Sequence, residues 1–321
     1  MDLIYTNSNR EDVGVLKDFT FDLAFGKNEN DFELTVDINN NCCVPKGFVY
    51  IEATEYGGIV DKLKVKTKDD TLVYCGRTWS GVLGSKILQP DAGADYLTVS
   101  GEANTVINSL IERIGLTDIF IASAEDSGLE ISGYKFDRYT DAYSGIIKML
   151  DTVSGKLKFK FKNGKVEISA LPLVDYSQDE QFDNDSVEMD IEKTYNPINH
   201  LICLGKGELA NREILHLYAD SDGNISETQT FIGIDERAAV YDYSNAESSE
   251  ILKSSGISKL AEYVSEGKVQ MDFDANTDNY DVGDILGSKE IKTGIFVKEK
   301  ITKKIVTIKK DEINIEYKVG E

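Results

Sequence analysis

The amino-acid sequence predicts an α+β fold that is mostly β, and three patterns carry that reading. Period-two alternation of apolar and polar residues fills the first third of the chain, the mark of half-buried strands. Helical spacing of apolar residues is confined to three windows, near 100–115, 140–155 and 244–267. Alternation then returns from residue 268 to the end. That order implies two β bodies with helical segments between them.

In residues 18–25, Phe19, Phe21, Leu23 and Phe25 share one face, and Phe32, Leu34, Val36 and Ile38 repeat the pattern after a turn at 26–30. Residues 48–53, 59–67 and 71–77 complete five or six strands, a set that suits a small barrel or sandwich with few exposed edges. Ser100 is placed to cap a helix, with Glu102 in its first turn. The helix stripe is Val106, Ile107, Leu110, Ile111 and Ile114, and Gly115 ends it. Residues 119–122 read as a short strand. A second helix starts at Thr140 and Asp141 and buries Tyr143, Ile146, Ile147 and Leu150. Strands 156–162 and 165–170 flank Asn163-Gly164, a pair that suits a type I′ hairpin turn.

Residues 98–174 thus form a compact α+β insert, followed by an acidic linker at 175–185. Strands return at 186–191 and 200–205, separated by a turn around Pro197, and again at 214–219. A capping box, Ser244-Asn245-Ala246-Glu247, opens a helical region with the stripe Ile251, Leu252, Ile257, Leu260, Ala261 and Val264. Gly256 in its middle predicts a kink or two short helices. In this reading residues 1–97 are the first β body, 186–215 with 268–321 the second, and 216–267 a helix-containing insert.

The chain of 321 residues has 35 basic and 57 acidic side chains, a formal charge of −22. Nucleic-acid binding works by neutralising phosphates with Lys and Arg, so this balance speaks against general affinity for DNA or RNA. Copies of so acidic a protein repel one another, and a homo-oligomer needs an apolar or locally basic seam. The segment 292–310 offers one, and Lys298, Lys300, Lys303 and Lys304 are its candidate contact residues. No apolar run is long enough to span a membrane, and the first residues lack the cationic start and apolar stretch of a signal peptide. The expectation is a chain that starts at Met1, folds in the cytoplasm and inserts in no membrane.

Motifs for chemistry are sparse. Cys42, Cys43, Cys75 and Cys203 show no CxxC spacing, and adjacent cysteines bridge only with strain, so reduced structural thiols are expected. His200 and His216 are the only histidines, both in predicted strands. A Cys–His pairing through Cys203 is open, but its apolar strand favours an inert thiol. The run Asp220-Ser221-Asp222-Gly223-Asn224 resembles a calcium loop, yet Ile225 and Phe231 stand where such a loop needs Gly and Glu. A solvated Asp-Gly hairpin explains the same residues and is the reading favoured. Asp272, Asp274, Asn276 and Asp278 alternate and read as an acidic surface stripe. No catalytic residue, metal ligand or cofactor is expected.

The run Arg77-Thr78-Trp79-Ser80-Gly81-Val82-Leu83, then Ile87-Leu88-Gln89-Pro90 and Ser100-Gly101-Glu102-Ala103-Asn104, resembles the baseplate hub proteins that close the tail tubes of phages and phage-like contractile bacteriocins. The start (Val13-Gly14-Val15-Leu16, then Asn30-Asp31-Phe32-Glu33-Leu34) and the end (Tyr280-Asp281-Val282-Gly283-Asp284-Ile285, closing at 317–320) fall in the family's order. The resemblance implies two tube-like β-barrel domains, an inserted α+β domain and a helical segment. It also implies a homotrimer whose six tube-like units meet a sixfold tail tube protein on one side and a threefold central spike protein on the other, among other baseplate proteins. The expected location is the tail baseplate of a virion or phage-like particle assembled in the bacterial cytoplasm. Family members that carry a lytic or receptor-binding module extend beyond this chain's last strand, so a pure assembly role is expected. A tail-associated cell-wall hydrolase and a carbohydrate-binding tail-tip protein are the alternatives.

Overall fold

The computed structural model describes residues 1–26, 29–178, 181–183, 189–244, 246, 248–264, 267–275, 280–310 and 312–320. It is mostly β, with four α-helices among the described residues: α1 (Trp79–Gly84), α2 (Ala103–Arg113), α3 (Ala142–Asp151) and α4 (Ser249–Val264). None is long and apolar enough to cross a membrane. The chain divides into two compact units, one of residues 1–189, 270–288 and 298–321, the other of 190–269 and 289–297.

In the first unit the alternating segments form one antiparallel path. Its order is Gly267–Ala275, Glu312–Val319, Phe296–Lys309, Thr20–Gly26, Asp31–Asp37, Thr71–Thr78, Gly57–Lys66, Phe48–Tyr50, Leu3–Thr6 and Asp12–Leu16. The expected closed barrels are corrected here, because this path is open. Closure of the first body would require Thr20–Gly26 to pair back toward the other end of the path. That side of the strand is instead taken by residues 303–309 from the far end of the chain. Strands from both predicted β bodies therefore run on as one sheet. The alternation itself is as read: Phe21, Leu23, Phe32, Leu34 and Val36 are all buried.

The α+β insert packs α2 and α3 on a three-stranded sheet of Phe120–Ala122, Lys165–Pro172 and Gly155–Lys162. The hairpin turn at Asn163-Gly164 has φ of 53° and 77°, the left-handed pair a type I′ turn requires. Asp141 caps α3 through a bond from the Ser144 amide at 2.8 Å. The cap of α2 differs from expectation. Ser100 lies inside strand Thr98–Glu102, and the carboxylate of Glu102 accepts from the amides of Asn104 at 3.0 Å and Thr105 at 2.8 Å. A Glu side chain is long enough to fold back over the first turn, and the Ser127 amide and hydroxyl also donate to it.

Burial alone would raise the Glu102 pKa, but the Ser127 and backbone donors outweigh it and hold the group at about 2. A depressed carboxyl contributes stability that is fully present above its ordinary value and lost as pH falls toward the folded value. Glu102→Ala is therefore expected to cost about 1–2 kcal/mol at neutral pH. Below pH 4.5 the difference from the parent protein should shrink toward nothing. Urea denaturation at stepped pH checks both statements.

In the second unit, a four-stranded sheet runs Ile225–Ser226, Ile214–Ala219, His200–Leu204, Ala238–Asp242, the last pair being parallel. Helix α4 covers one face, where Leu201, Cys203 and Leu217 meet Leu252 and Leu260. The helix is continuous through Gly256, so it does not divide into two short helices. A Cβ at Gly256 would lie 2.6 Å from the Cys203 sulfur, so the glycine serves close approach of helix to sheet. The proposed capping box includes positions 245 and 247, outside the described residues; the Ser248 hydroxyl accepts from the Ile251 amide at 3.3 Å.

Candidate functional site

The segment 77–83, singled out from sequence, is where strand Thr71–Thr78 passes into α1. Four residues of the motif, Arg77, Trp79, Ser80 and Gly81, have identifiable tasks. Trp79 is buried, stacked on Phe161 at 5.5 Å and edge-on to Phe48 at 5.3 Å. Its Nε1 finds no partner among the described residues, so apolar packing outweighs one orphaned donor. Arg77 makes a two-pronged ion pair with Asp61 at 2.7 and 2.8 Å and donates to the Ser85 hydroxyl at 2.9 Å. The Asp61 carboxylate raises the Arg77 pKa further. Ser80 donates to the Asn30 side chain at 2.8 Å, and Asn30 in turn bonds the Gly26 carbonyl at 2.6 Å. The motif thus pins α1 to the turn between two core strands.

Gly81 completes it. A Cβ there would sit 2.1 Å from the Asn30 carbonyl oxygen, a backbone atom that cannot yield. Gly81→Ala is expected to destabilise by about 2–3 kcal/mol. Gly84→Ala, whose added carbon meets only ordinary contacts near 3.5 Å, should stay within about 0.5 kcal/mol. Guanidinium denaturation of the two variants side by side distinguishes them.

An open groove of about 320 Å³ lies beside the motif, lined by Arg77, Ser85, Asp141 and Tyr143 among others. Its charged groups are already committed, Arg77 to Asp61 and Asp141 to the start of α3. Deeper in the first unit is a buried ionic cluster. Lys156 contacts Asp284 at 2.8 Å and Asp281 at 2.8 Å, Lys158 pairs with Asp281, and Lys304 pairs with Glu55 at 2.5 Å. Burial alone would raise the Asp281 pKa, but Lys158 and Lys156 outweigh it and hold the carboxyl below its ordinary range. Of these groups Glu55, Asp281 and Lys304 border a cavity of about 20 Å³, room for roughly one water and no substrate.

The four lysines suggested for a subunit seam divide into two kinds. Lys298 is exposed and pairs with Asp175 at 3.1 Å, Lys300 with Asp151 at 2.7 Å, and Lys303 with Glu29. Lys304 faces inward, 1% exposed, with the Phe25 and Tyr56 rings beside its ammonium. A register shift in strand Phe296–Lys309 between Ile301 and Lys303 separates the two sets: the buried positions are Val297 and Ile301 before it, and Lys304, Val306 and Ile308 after it.

In the second unit, His200 Nδ1 meets Glu236 at 2.6 Å and His200 Nε2 meets His216 Nδ1 at 2.8 Å, with Tyr218 stacked at 4.3 Å. Glu236 carried no signal in the sequence. Cys203, three residues from His200, points to the opposite face against α4, where burial pushes its thiol pKa up. No Cys–His pair forms. The Asp220 carboxylate accepts from the amides of Asp222 and Asn224, each at 2.9 Å, which makes the loop a self-capped turn. Asp272 pairs with Lys318 at 2.9 Å, while positions 276 and 278 of the acidic stripe lie outside the described residues. Among the described residues, no cluster of three or more His, Cys, Asp or Glu is placed to hold a metal ion.

Neither a family model nor a curated protein sequence matches the chain. Its fold, however, is that of phage tail proteins. The tail protein of Neisseria meningitidis MC58 is similar with a TM-score of 0.56 over 100% of this chain and 96% of that one, at 12% identity. Prophage tail protein gp18 of Listeria monocytogenes EGD-e gives 0.55 over 99% and 94%, at 14% identity. The 43 kDa tail protein of prophage MuSo2 from Shewanella oneidensis gives 0.56 over 99% and 97%, at 9% identity. At such identities the likeness is one of fold.

Proposed function

We propose that the chain is a structural baseplate hub subunit of a phage or phage-like contractile particle. Three copies form a ring that joins a sixfold tail tube to a threefold central spike. The observation behind this reading is the likeness to three tail proteins over nearly the full length of both partners. A match of that extent covers the β sheet, the α+β insert and the α4 unit together. The two parts of the continuous sheet in each copy, one from the start of the chain and one from its end, supply the doubling that a threefold object needs to face a sixfold one. Part of the acid excess lines the lumen, where carboxylates repel passing DNA. The exposed Lys298 and the half-buried Lys300 and Lys303, on strand Phe296–Lys309, exchange their partners within the chain for carboxylates of the next copy.

The test is native mass spectrometry and negative-stain imaging of the purified protein, alone and with its tube and spike proteins. A ring of three, weakened by salt and by joint Lys298→Glu, Lys300→Glu and Lys303→Glu substitution, is the expected result. A chain that stays monomeric with both partners present, or that releases fragments from purified cell wall, would overturn the reading.

A further inference from the structure

We propose that Cys42 and Cys43 form a peroxide-reactive vicinal dithiol that closes reversibly to a disulfide. The two side chains converge, with sulfurs 3.7 Å apart, in the loop between strands Asp31–Asp37 and Phe48–Tyr50. In an extended strand, neighbouring side chains would point to opposite faces. The loop is held in its converging shape by bonds from the Tyr74 hydroxyl to Asn41 Oδ1 at 2.9 Å, from the Cys42 amide to the Asn40 carbonyl at 2.9 Å, and from the Lys46 amide to the Val60 carbonyl at 2.9 Å.

The two thiols are unequal. Cys42 is half-buried and reachable from solvent, whereas Cys43 is buried. The two sulfurs are within hydrogen-bond reach with either able to donate; once Cys42 ionises, the Cys43 S–H donates to its thiolate, which pulls the Cys42 thiol down to about 7. The same bond, with burial, pushes the Cys43 thiol up. Burial also raises Cys75 and Cys203. Of the four thiols, Cys42 alone combines access, thiolate character and an adjacent resolving thiol, the combination that makes a cysteine oxidant-sensitive.

The chemistry balances with a hydroperoxide as the oxidant. Cys42 loses its proton to solvent, and its thiolate attacks one peroxide oxygen. The O–O bond breaks, leaving a sulfenic acid and a hydroxide that takes up a proton to become water. Cys43 sulfur then attacks Cys42 sulfur, the S–O bond breaks, and the departing hydroxyl leaves as water with the Cys43 proton. Two thiols and one hydrogen peroxide give one disulfide and two waters. Adjacent Cα atoms are about 3.8 Å apart across a trans peptide, short of the roughly 4.4 Å at which disulfides usually begin. The bridge is therefore strained and readily reduced by dithiols.

The test exposes the intact reduced protein to one equivalent of hydrogen peroxide at neutral pH, quenches with iodoacetamide and maps the peptides by mass. The expected peptide carrying Cys42 and Cys43 is lighter by two hydrogens, unalkylated, and restored by dithiothreitol, while Cys75 and Cys203 are unchanged. In the reduced protein, Cys42 should alkylate at least about tenfold faster than Cys75. Cys43→Ser should stop the reaction at a sulfenic acid that dimedone traps on Cys42. Alkylation of Cys42 no faster than Cys75, or a bridge found only between chains, would sink the proposal. Should Cys43→Ser disturb the circular dichroism spectrum, the mapping of the unaltered protein decides alone.

Discussion

Replacing Asp284 by Ala is expected to lower stability by about 3–5 kcal/mol, the cost of removing one partner from a buried ion pair. Asp284 is fully buried, and both its oxygens accept from the Lys156 ammonium at 2.8 Å. One oxygen also takes the Val174 amide at 3.0 Å and the other the Asp281 amide at 2.9 Å. The substitution therefore strands two backbone donors and leaves a buried ammonium with Asp281 as its remaining carboxylate contact among the described residues. Orphaned buried groups lose their full desolvation energy, which is why the loss exceeds the net worth of the bonds. Lys156→Met should also destabilise, and the double variant should cost less than the sum, because no charge is then left unmatched. Denaturant midpoints for the four-corner cycle measure this. A loss below about 1 kcal/mol for Asp284→Ala would mean that solvent reaches the pair and screens it.

That pair also marks where sequence reasoning runs out. Lys156 opens a hairpin visible from its Asn-Gly turn, and Asp284 sits in a block noted for its order along the chain. Nothing local connects two positions 128 residues apart. What was legible is what a short window encodes: the strands with Phe21 and Leu34, the stripes of α2 and α3, the cap at Asp141 and the hairpin at 155–172. The misplaced cap at Ser100 has a physical cause, since Ser is the commoner cap but the chain is still extended there and a longer acid does the work two residues on. Gly256 misled for the same reason. Its helix propensity is poor, but its value lies in contact with a strand some fifty residues away, which propensity does not register.

The open sheet was beyond local reading as well. Closure or continuation depends on which distant strand claims the side of Thr20–Gly26, and the answer comes from residues 303–309. At the motif the outcome is mixed. Trp79 and Gly81 were singled out as a pattern, and the structure supplies the reason in a stacked ring and a carbonyl that admits no methyl. The contact of His200 with Glu236 and His216 was unreadable, because strand pairing and a loop bring the three together.

Phe161→Ala is the second large effect, an expected loss of about 3–5 kcal/mol. Phe161 is buried at the end of the hairpin strand Gly155–Lys162, and its ring stacks on Tyr50 at 3.9 Å and on Trp79 at 5.5 Å, with Phe48 edge-on at 6.3 Å. Tyr50 and Phe48 belong to the long sheet, Trp79 to α1, and Phe161 to the insert, so one ring ties three elements into a shared core. Backbone bonds reinforce the tie, from the Phe161 amide to the Thr54 carbonyl at 2.8 Å and from the Ala53 amide to the Phe161 carbonyl at 2.9 Å. Those bonds survive truncation to Ala, so the cavity cannot collapse fully and the loss should sit toward the upper end of the range. Phe161→Leu keeps most of the volume and should cost only about 1–2 kcal/mol. Trp79 is the chain's single tryptophan, and its emission reports the same event directly. A red shift in folded Phe161→Ala, absent in Phe161→Leu, would place the damage at this ring. An unchanged spectrum with a small stability loss would mean that insert and sheet fold as separately stable parts, and that the shared core has no energetic role.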